Sequence, residues 1–567
     1  MKLHECTVRT VFASLTRRRP RRGLTVLEIL VAATLAMVII IAMVQIFARA
    51  GSAISRAKAS LEMSGQLRMT ANRLSQDLRA LTVPALPWAS MSHGLGYFEY
   101  LEGPSKDRDV APDGTNDSTQ FDAKGRLGGL ESDLVGVSVG DLDDVLMFTA
   151  RSDEEPFVGR VDGSLVGSGA PFVTITSPIA EIVWWTRLND TNGNDVWDAG
   201  ETVTVHRRVL LVRPDLNQAS GVLPPVGTPP LTTTPDDMRK FYNQNDLSIR
   251  PHRDSGGTLD GFAANSLADL TIRENRFAHY PVTVGSPSSF GAAGSQFPNE
   301  IDRRVNSPTS LQNLAKWDQM EKGADMEWGD AMTDDDNNGI PDDISEAGWP
   351  GSDDIIDSRR GEDVILSNVV AFDVRAFDPN APIIISGATV VSPGDPGYDP
   401  DPGTQSITDA DATTITTAPV GFGAFVDLNY ANEPLDGTGA ANTTSFDDTS
   451  GQRLSAFSGI PAFDDANDNE QRDGAGERFL GTSTATYCTW STHYEADGRN
   501  QDGDAVTDEG TDGLDNDSQN GVDDPGEYET SPPYPLPLRG IQVRFRVVEI
   551  DTKQVRQTSV VSDFTPE

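Results

Sequence analysis

The feature that most constrains this chain is a run of 24 residues, Leu24 to Phe47, with a single charged side chain, Glu28. As a helix it would rise about 36 Å, enough to cross the hydrocarbon core of a bilayer. Residues 1–23 hold seven basic residues and one acidic residue, and such a basic flank stays on the cytoplasmic side. The sequence therefore predicts a single-pass membrane protein whose chain beyond Arg49 lies outside the cytoplasm.

Glu28 separates three interpretations of this run. A secretory signal would be cut near Ala48-Arg49-Ala50, and a plain anchor would stay uncut, but neither explains a carboxylate in an apolar span. Such a group costs roughly 2–3 kcal/mol on insertion and needs a partner. The third interpretation provides that partner.

The string RRGLTVLEILVAATL resembles the processing site of type IV prepilins and type II secretion pseudopilins. The resemblance implies that prepilin peptidase cuts after Gly23 and that Leu24 is then N-methylated. It also implies that Glu28, the fifth mature residue, pairs with the N-terminal ammonium of a neighbouring subunit during assembly. Leu24 stands where Phe is usual and Val26 where Leu is usual, and both exchanges keep an apolar side chain.

The apolar run continues into a second helical pattern. No proline occurs from Arg49 to Leu81, and apolar residues, including Ile54 and Leu61, recur there at helical spacings. Basic residues and Asp77 lie between them, which predicts an amphipathic helix that ends before Pro84. We expect a transmembrane helix at 24–48 and a stalk helix at 49–83, continuous to about Thr82.

Beyond the stalk, six runs rich in β-branched and aromatic residues predict strands, several with one buried face. The runs are Asp144–Ala150, Ile179–Leu188, Val203–Val212, Val364–Phe377, Ile541–Ile550 and Gln554–Phe564. The expected fold class is α+β, with the long helix packed on an antiparallel β-sheet head. In order and style these runs resemble the J-class minor pseudopilin of type II secretion.

The predicted head divides into five parts by composition. We expect a first β part at 84–213, a core strand at 363–378 and a C-terminal β-hairpin at 536–567. The insertions between them, 214–362 and 379–535, are far larger than the sheet needs and mostly have the composition of loops.

Four acidic loops place oxygen ligands at the alternating positions of a calcium-binding loop. The first comprises Asp190, Asn192, Asn194, the carbonyl of Val196, Asp198 and Glu201. The second comprises Asp334, Asp336, Asn338 and Asp342, and the third Asp465, Asn467, Asn469 and Asp473. In the fourth, the clusters are Asp502, Asp504 and Asp508, then Asp515, Asp517 and Asp523. Solvated acidic loops that bind nothing are the alternative. We expect structural Ca²⁺ in these loops.

The remaining composition argues against other functions. A net charge of -41 opposes nucleic-acid binding, because it repels phosphate. The six histidines are scattered, and no nucleophile elbow, P-loop or zinc spacing occurs, so no enzyme is expected. With Cys6 in the leader, Cys488 would remain alone in the mature chain, most simply as a buried apolar residue.

These observations favour a structural subunit of a type II secretion pseudopilus. Its expected partners are prepilin peptidase, the inner membrane and other minor pseudopilins or pilins, which it would contact through the N-terminal helix. The nearest alternative is a minor pilin of a type IV pilus. An alternative of another class is a membrane-anchored, calcium-dependent adhesin or binding module that never polymerises.

Overall fold

One long helix, α1, runs from Val26 to Arg79 in the computed structural model. Thr25 and Glu28 form a capping box at its start: the backbone N–H of Thr25 donates to Glu28 Oε2 at 2.9 Å, and the N–H of Glu28 donates to Thr25 Oγ1 at 3.2 Å. The helix ends three residues before the predicted Thr82. There Leu81 forms a β-bridge with Ala150, so the chain leaves the helix in order to pair with the sheet.

The structure describes only part of the chain. The described residues are 25–89, 94–102, 140, 142, 144–152, 154–189, 202–226, 238, 241–242, 244–254, 259–277, 279, 363–386, 388–393, 395, 419–428, 457, 462–463, 479–480, 486–496, 498, 506–516, 521–523, 527–528, 532, 534, 536–549 and 554–564.

The chain divides into two units, Met1–Leu61 and Glu62–Glu567. In the first unit the described residues from Val26 onward are helical, and large apolar side chains such as Leu27 and Phe47 are exposed. This is the one helix in the described part of the chain that is long and apolar enough to cross a membrane. A single N-terminal membrane span is consistent with that finding.

The second unit is built on an antiparallel β-sheet, so the protein belongs to the α+β class. Its strands, with those that pair outside the sheet, are β1 (Trp88–Ala89), β2 (Phe98–Leu101), β3 (Val145–Arg151), β4 (Phe157–Asp162), β5 (Phe172–Ser177), β6 (Ile179–Asn189), β7 (Thr202–Leu211), β8 (Ile249–Arg253), β9 (Leu259–Ala264), β10 (Val364–Ser386), β11 (Thr389–Val391), β12 (Gly421–Val426), β13 (Ala462–Phe463), β14 (Phe479–Leu480), β15 (Thr486–Cys488), β16 (Trp490–Ser491), β17 (Gly540–Glu549) and β18 (Gln554–Asp563).

The order across the sheet is β15-β2-β3-β6-β7-β10-β17-β18, and β11 and β12 also pair with β10. From β2 onward this order follows the chain once the insertions are removed, so the scaffold is a simple meander. All six predicted strands are present within a few residues of their expected ends, except that β10 is longer. β17 and β18 form the expected hairpin, with Glu549 opposite Gln554.

β10 runs for 23 residues, well past the predicted end at Phe377. It changes partner along its length, from β7 to β17 and then to β12 and β11. Register shifts accompany these changes, and Asn368 has a φ of +55° where the pairing is irregular. Strands from the second insertion therefore extend the predicted core strand.

The sheet is buried on both faces at β3 and β6, not on one face as alternation suggested. Leu146 and Trp184 face the core that contains α1, whereas Met147 and Trp185 face a second core. A run such as VLMFTA, apolar at every position, is typical of a strand buried on both sides.

The second core corrects the expectation that the first insertion is mostly loops. Residues of 214–277 supply β8, β9 and buried side chains such as Phe241, Tyr242 and Leu270, which pack against β3, β6 and β7. The described residues of 214–277 therefore cover one face of the sheet at β3, β6 and β7. Its apolar residues are spread among polar ones, so their common burial has no clear periodic signal in the sequence.

Candidate functional site: a docked helix and acidic loops

Asp77 joins α1 to the sheet in the second unit. Arg207 of β7 donates two hydrogen bonds to it, from Nε to Oδ2 at 2.6 Å and from Nη2 to Oδ1 at 2.8 Å. Trp184 of β6 donates a third, from Nε1 to Oδ2 at 3.1 Å. Trp184 and Arg207 are cross-strand partners, so both side chains leave the sheet on the face that meets the helix.

The Asp77 carboxylate is only 4% exposed and the Arg207 side chain 9%, so this pair lies inside the head. Leu74 and Leu78 flank Asp77 on the same buried face of the helix. The sequence suggested that Asp77 belongs to the polar side of the stalk, and this interpretation is wrong. Its position three residues after Leu74 was the signal that places it on the buried face.

Not every residue of the predicted apolar stripe is buried. Leu67, Leu74 and Leu78 are in the core, whereas Leu61 is 75% exposed. The residues of the predicted stripe that pack in the core of the sheet, Leu67, Leu74 and Leu78, all belong to the second unit.

The predicted processing residues Gly23 and Leu24 lie outside the described residues. Glu28 lies in the first turn of α1, where the Thr25 hydroxyl also donates to its Oε2 at 3.1 Å. The structure thus gives Glu28 a local role as a helix cap. The positive end of the helix dipole also stabilises a carboxylate at this position.

Most of the predicted calcium ligands also lie outside the described residues. This applies to Asp190, Asn192, Asn194, Val196, Asp198, Glu201, Asp334, Asp336, Asn338, Asp342, Asp465, Asn467, Asn469, Asp473, Asp502, Asp504 and Asp517. Asp508, Asp515 and Asp523 of the fourth loop are described. Calcium therefore stays a prediction for all four loops.

The fourth loop contains a duplicated turn that the sequence reasoning missed. The backbone N–H of Gly498 donates to the carboxylate of Asp508 at 3.0 Å, and that of Gly513 donates to Asp523 at 2.8 Å. All four residues have positive φ, between +52° and +81°. The two turns are related by a shift of 15 residues, and the repeated Asp-Gly pair at this spacing is the sequence signal.

Two buried carboxylates accompany these turns. Glu495 and Glu527 are 2% and 1% exposed, and the backbone N–H of Asn516 donates to Glu527. Gly510 packs against both residues, because a Cβ on it would lie 2.7 Å from Glu495 Oε2 and 3.3 Å from the backbone oxygen of Glu527. Among the described residues no group of three or more His, Cys, Asp or Glu side chains is arranged to hold a metal ion.

A second buried ionic cluster surrounds Glu99 of β2, which is fully buried. Arg273 donates to its Oε1 from Nε at 3.0 Å and from Nη2 at 2.8 Å, and Arg276 donates to Oε2 at 2.7 Å. His279 Nε2 lies 3.3 Å from Oε1. Glu99 of the sheet thus binds two arginines of the first insertion.

The same cluster reaches the second insertion. Arg276 donates from Nη2 to the carbonyl of Thr489 at 2.8 Å, and the backbone N–H of Arg273 donates to the Tyr494 hydroxyl at 3.2 Å. Both insertions are therefore tied to β2 and to each other. No local pattern indicates this cluster, because its bonds join residues that are 174 to 221 positions apart.

Burial and charge oppose each other at Glu99. Burial alone would raise the pKa of Glu99, but Arg273, His279 and Arg276 outweigh it and hold the pKa well below its usual value. Nearby, burial raises the pKa of Glu181, although it accepts hydrogen bonds from Phe277 N–H and from Ser248. Protonation at low pH therefore removes a stabilising charge at Glu99 and a destabilising charge at Glu181.

Comparison with known proteins adds no identification. No family model, no curated protein and no solved structure matches this chain.

We predict that Asp77→Asn lowers the free energy of unfolding of the full chain by about 3–5 kcal/mol, because it leaves the buried Arg207 without its counter-charge. Urea unfolding of detergent-extracted protein measures this loss. The matched control is Asp215→Asn, whose carboxylate pairs with Arg213 but is 60% exposed, so its loss should cost less than about 1 kcal/mol. Equal effects of the two substitutions would contradict the role assigned to Asp77.

We predict that Glu99→Gln lowers the free energy of unfolding at neutral pH. The difference in this free energy between wild type and variant should become smaller as the pH falls below 4.5. A carboxyl group with a depressed folded-state pKa adds stability above its unfolded pKa and loses it as the pH falls through the folded value. Urea unfolding midpoints measured at about five pH values between pH 3 and 7 test this prediction.

Glu181→Gln is the control for Glu99→Gln. The pKa of Glu181 is raised, so its charged form opposes folding, and the charge removed by Glu181→Gln should shift the free energy of unfolding at neutral pH in the opposite direction. If the difference in urea midpoint between wild type and Glu99→Gln stays constant over the whole pH range, the charge of Glu99 does not contribute to stability.

Proposed function

We propose that this protein is a pilin-like structural subunit of a type II secretion pseudopilus, most like the J-class minor pseudopilin. The observation that carries the proposal is that one helix, α1, combines two features. Its N-terminal part is apolar enough to span a membrane, and its C-terminal part packs through Leu67, Leu74 and Leu78 on a meander sheet. The basic leader and Gly23 precede that helix and Glu28 lies in its first turn, at the spacing of the prepilin motif.

In this proposal prepilin peptidase removes residues 1–23 and Leu24 becomes the methylated N-terminus. The new ammonium group then lies one residue before Thr25 and four before Glu28. In the free chain the backbone N–H and the hydroxyl of Thr25 donate hydrogen bonds to the Glu28 carboxylate. In the assembly, the ammonium of a neighbouring subunit competes for that carboxylate, since two opposite charges neutralise each other in an apolar bundle.

We expect protein extracted from membranes of its native host to begin at methyl-Leu24. Intact mass and N-terminal analysis measure this directly. A chain that begins near Gly51 would indicate ordinary secretion, and a chain that retains Met1 would indicate a plain anchor. Either result would contradict the assembly proposal and favour an anchored or secreted binding module.

We predict that Glu28→Gln abolishes incorporation into sheared filaments while processing at Gly23 continues. The side chain of Gln keeps the shape of Glu and can still accept from Thr25, so a defect reports the lost charge. Thr25→Ala is the matched control, because it removes the capping hydroxyl and keeps the charge, at a helix cost of about 1 kcal/mol. Loss of assembly in both variants alike would assign Glu28 to helix capping alone.

We also propose that Ca²⁺ orders the acidic loops of the head. The net charge of residues 80–567, which hold 32 basic and 82 acidic residues, means that their carboxylates repel one another unless cations bind. Ligands at positions 1, 3, 5, 7, 9 and 12 of the loop that starts at Asp190 suit a weak extracellular site.

We predict that roughly millimolar CaCl2 raises the melting temperature of the full chain and that the same concentration of MgCl2 does not. Asp190→Asn with Glu201→Gln should remove most of this rise. Asp260→Asn, at an exposed aspartate that pairs with His252, controls for the loss of charge. A melting temperature that is insensitive to Ca²⁺ and to chelator would refute the calcium proposal.

A further inference from the structure

The two end strands of the β-sheet differ in length and exposure. β15 forms one end of the sheet, and its three residues are all buried. β18 forms the other end, and most of its ten residues are exposed. Among the described strands, none pairs with the side of β18 that faces away from β17. This side of β18 is about 33 Å long, which is enough to pair with a whole further strand.

The direction of the backbone groups of β18 follows from one hydrogen bond. The N–H of Phe564 donates to the carbonyl of Arg539 at 2.8 Å, directly after the last pair of the β17–β18 ladder. Backbone groups alternate in direction along an antiparallel strand, so the even-numbered residues of β18 bond to β17. The odd-numbered residues point their N–H and C=O groups to the opposite side. We call four of them, which are all exposed, the open edge: Val555, Gln557, Ser559 and Val561.

The open edge lacks the features that commonly protect an edge strand. No proline and no register shift interrupts the pairing of β17 with β18, whereas β10 has register shifts against β7, β17 and β12. None of the four residues is charged, and Val555 and Val561 are 37% and 58% exposed. A long, regular and partly apolar edge of this kind binds an added strand through backbone hydrogen bonds.

The C-terminal hairpin also differs from the rest of the head in charge. Residues 536–567 hold five basic and four acidic residues, a net charge of +1. Residues 80–535 hold 27 basic and 78 acidic residues, a net charge of -51. Charges more than about 10 Å apart are largely screened at moderate ionic strength, so a single added strand meets chiefly the near-neutral hairpin. An uncharged segment therefore approaches the open edge without repulsion.

We propose that the open edge binds an extended, uncharged segment of a different protein, which adds a strand to the sheet. The backbone of the segment bonds to the N–H and C=O groups of the open edge, and its apolar side chains contact Val555 and Val561. A second copy of this chain fits less well, because it brings an equally acidic head that repels the first. The inference goes beyond the proposed function and does not depend on cleavage after Gly23, since the open edge belongs to the head.

Photocrosslinking of the full chain in membranes of its native host tests this proposal. A photoreactive residue replaces Val561, and in a control it replaces Val158, which is 61% exposed on β4. We expect position 561 to give a product with a different protein, in which the crosslinked peptide is an uncharged segment rich in β-branched residues. Position 158 should give little of this product.

Ser559→Pro shows whether backbone hydrogen bonds hold the added strand. The N–H of Ser559 points away from β17, so proline removes a donor of the open edge and leaves the bonds to β17 in place. The product from position 561 should fall about tenfold, while the melting temperature of the extracted protein changes little. Ser559→Ala is the matched control, because it removes the hydroxyl and keeps the N–H, and it should leave the amount of product unchanged.

Val555→Lys is a second variant that leaves the backbone unchanged, so the test stays decisive if Ser559→Pro fails to fold. A lysine on an edge strand opposes the addition of an apolar strand and should also reduce the product. Loss of the product in the folded edge variants, with retention in Ser559→Ala, supports the proposal. The proposal is overturned if position 561 gives no product, if the edge variants leave the product unchanged, or if the product contains only two copies of this chain.

Discussion

The hydrogen bonds from Arg207 and Trp184 to Asp77 set how α1 meets the sheet. Apolar packing of Leu67, Leu74 and Leu78 supplies most of the burial, but it tolerates some rotation and sliding of the helix. A bidentate guanidinium with a third donor fixes one rotation, because any other leaves a buried charge without its partner. The side of α1 that faces the sheet therefore depends on this one contact.

A second constraint is the large excess of negative charge outside the helix. Inside the head the few basic residues are concentrated where carboxylates are buried. Arg375 contacts Asp373, Asp395 and Asp427 within about one hydrogen-bond length each, and Arg273 and Arg276 share Glu99. Arginine suits this role, since its planar donor group can serve several carboxylates at once. Many of the remaining carboxylates belong to the four acidic segments of the sequence, where calcium is the proposed counter-charge.

Local sequence patterns predicted the scaffold well, because each relevant signal is local. A long apolar run, the absence of proline up to Leu81 and β-branched runs between turns led to α1, β3, β6, β7, β17 and β18 with only small errors at their ends. The errors have causes in the tertiary structure. α1 ends early because Leu81 pairs with Ala150, and β10 extends because β11 and β12 offer new partners.

The sequence by itself determined the membrane-compatible helix, the segments that form the main strands and the acidity of the head, since each follows from composition or from residues a few positions apart. Only the tertiary structure decided that Asp77 is buried, that Glu99 joins both insertions and that the first insertion forms a second core. These features depend on contacts between residues that are tens to hundreds of positions apart. Which residues pair depends on how charged groups and apolar surface are buried together in the folded chain. Local sequence periodicity carries no information about such long-range partners.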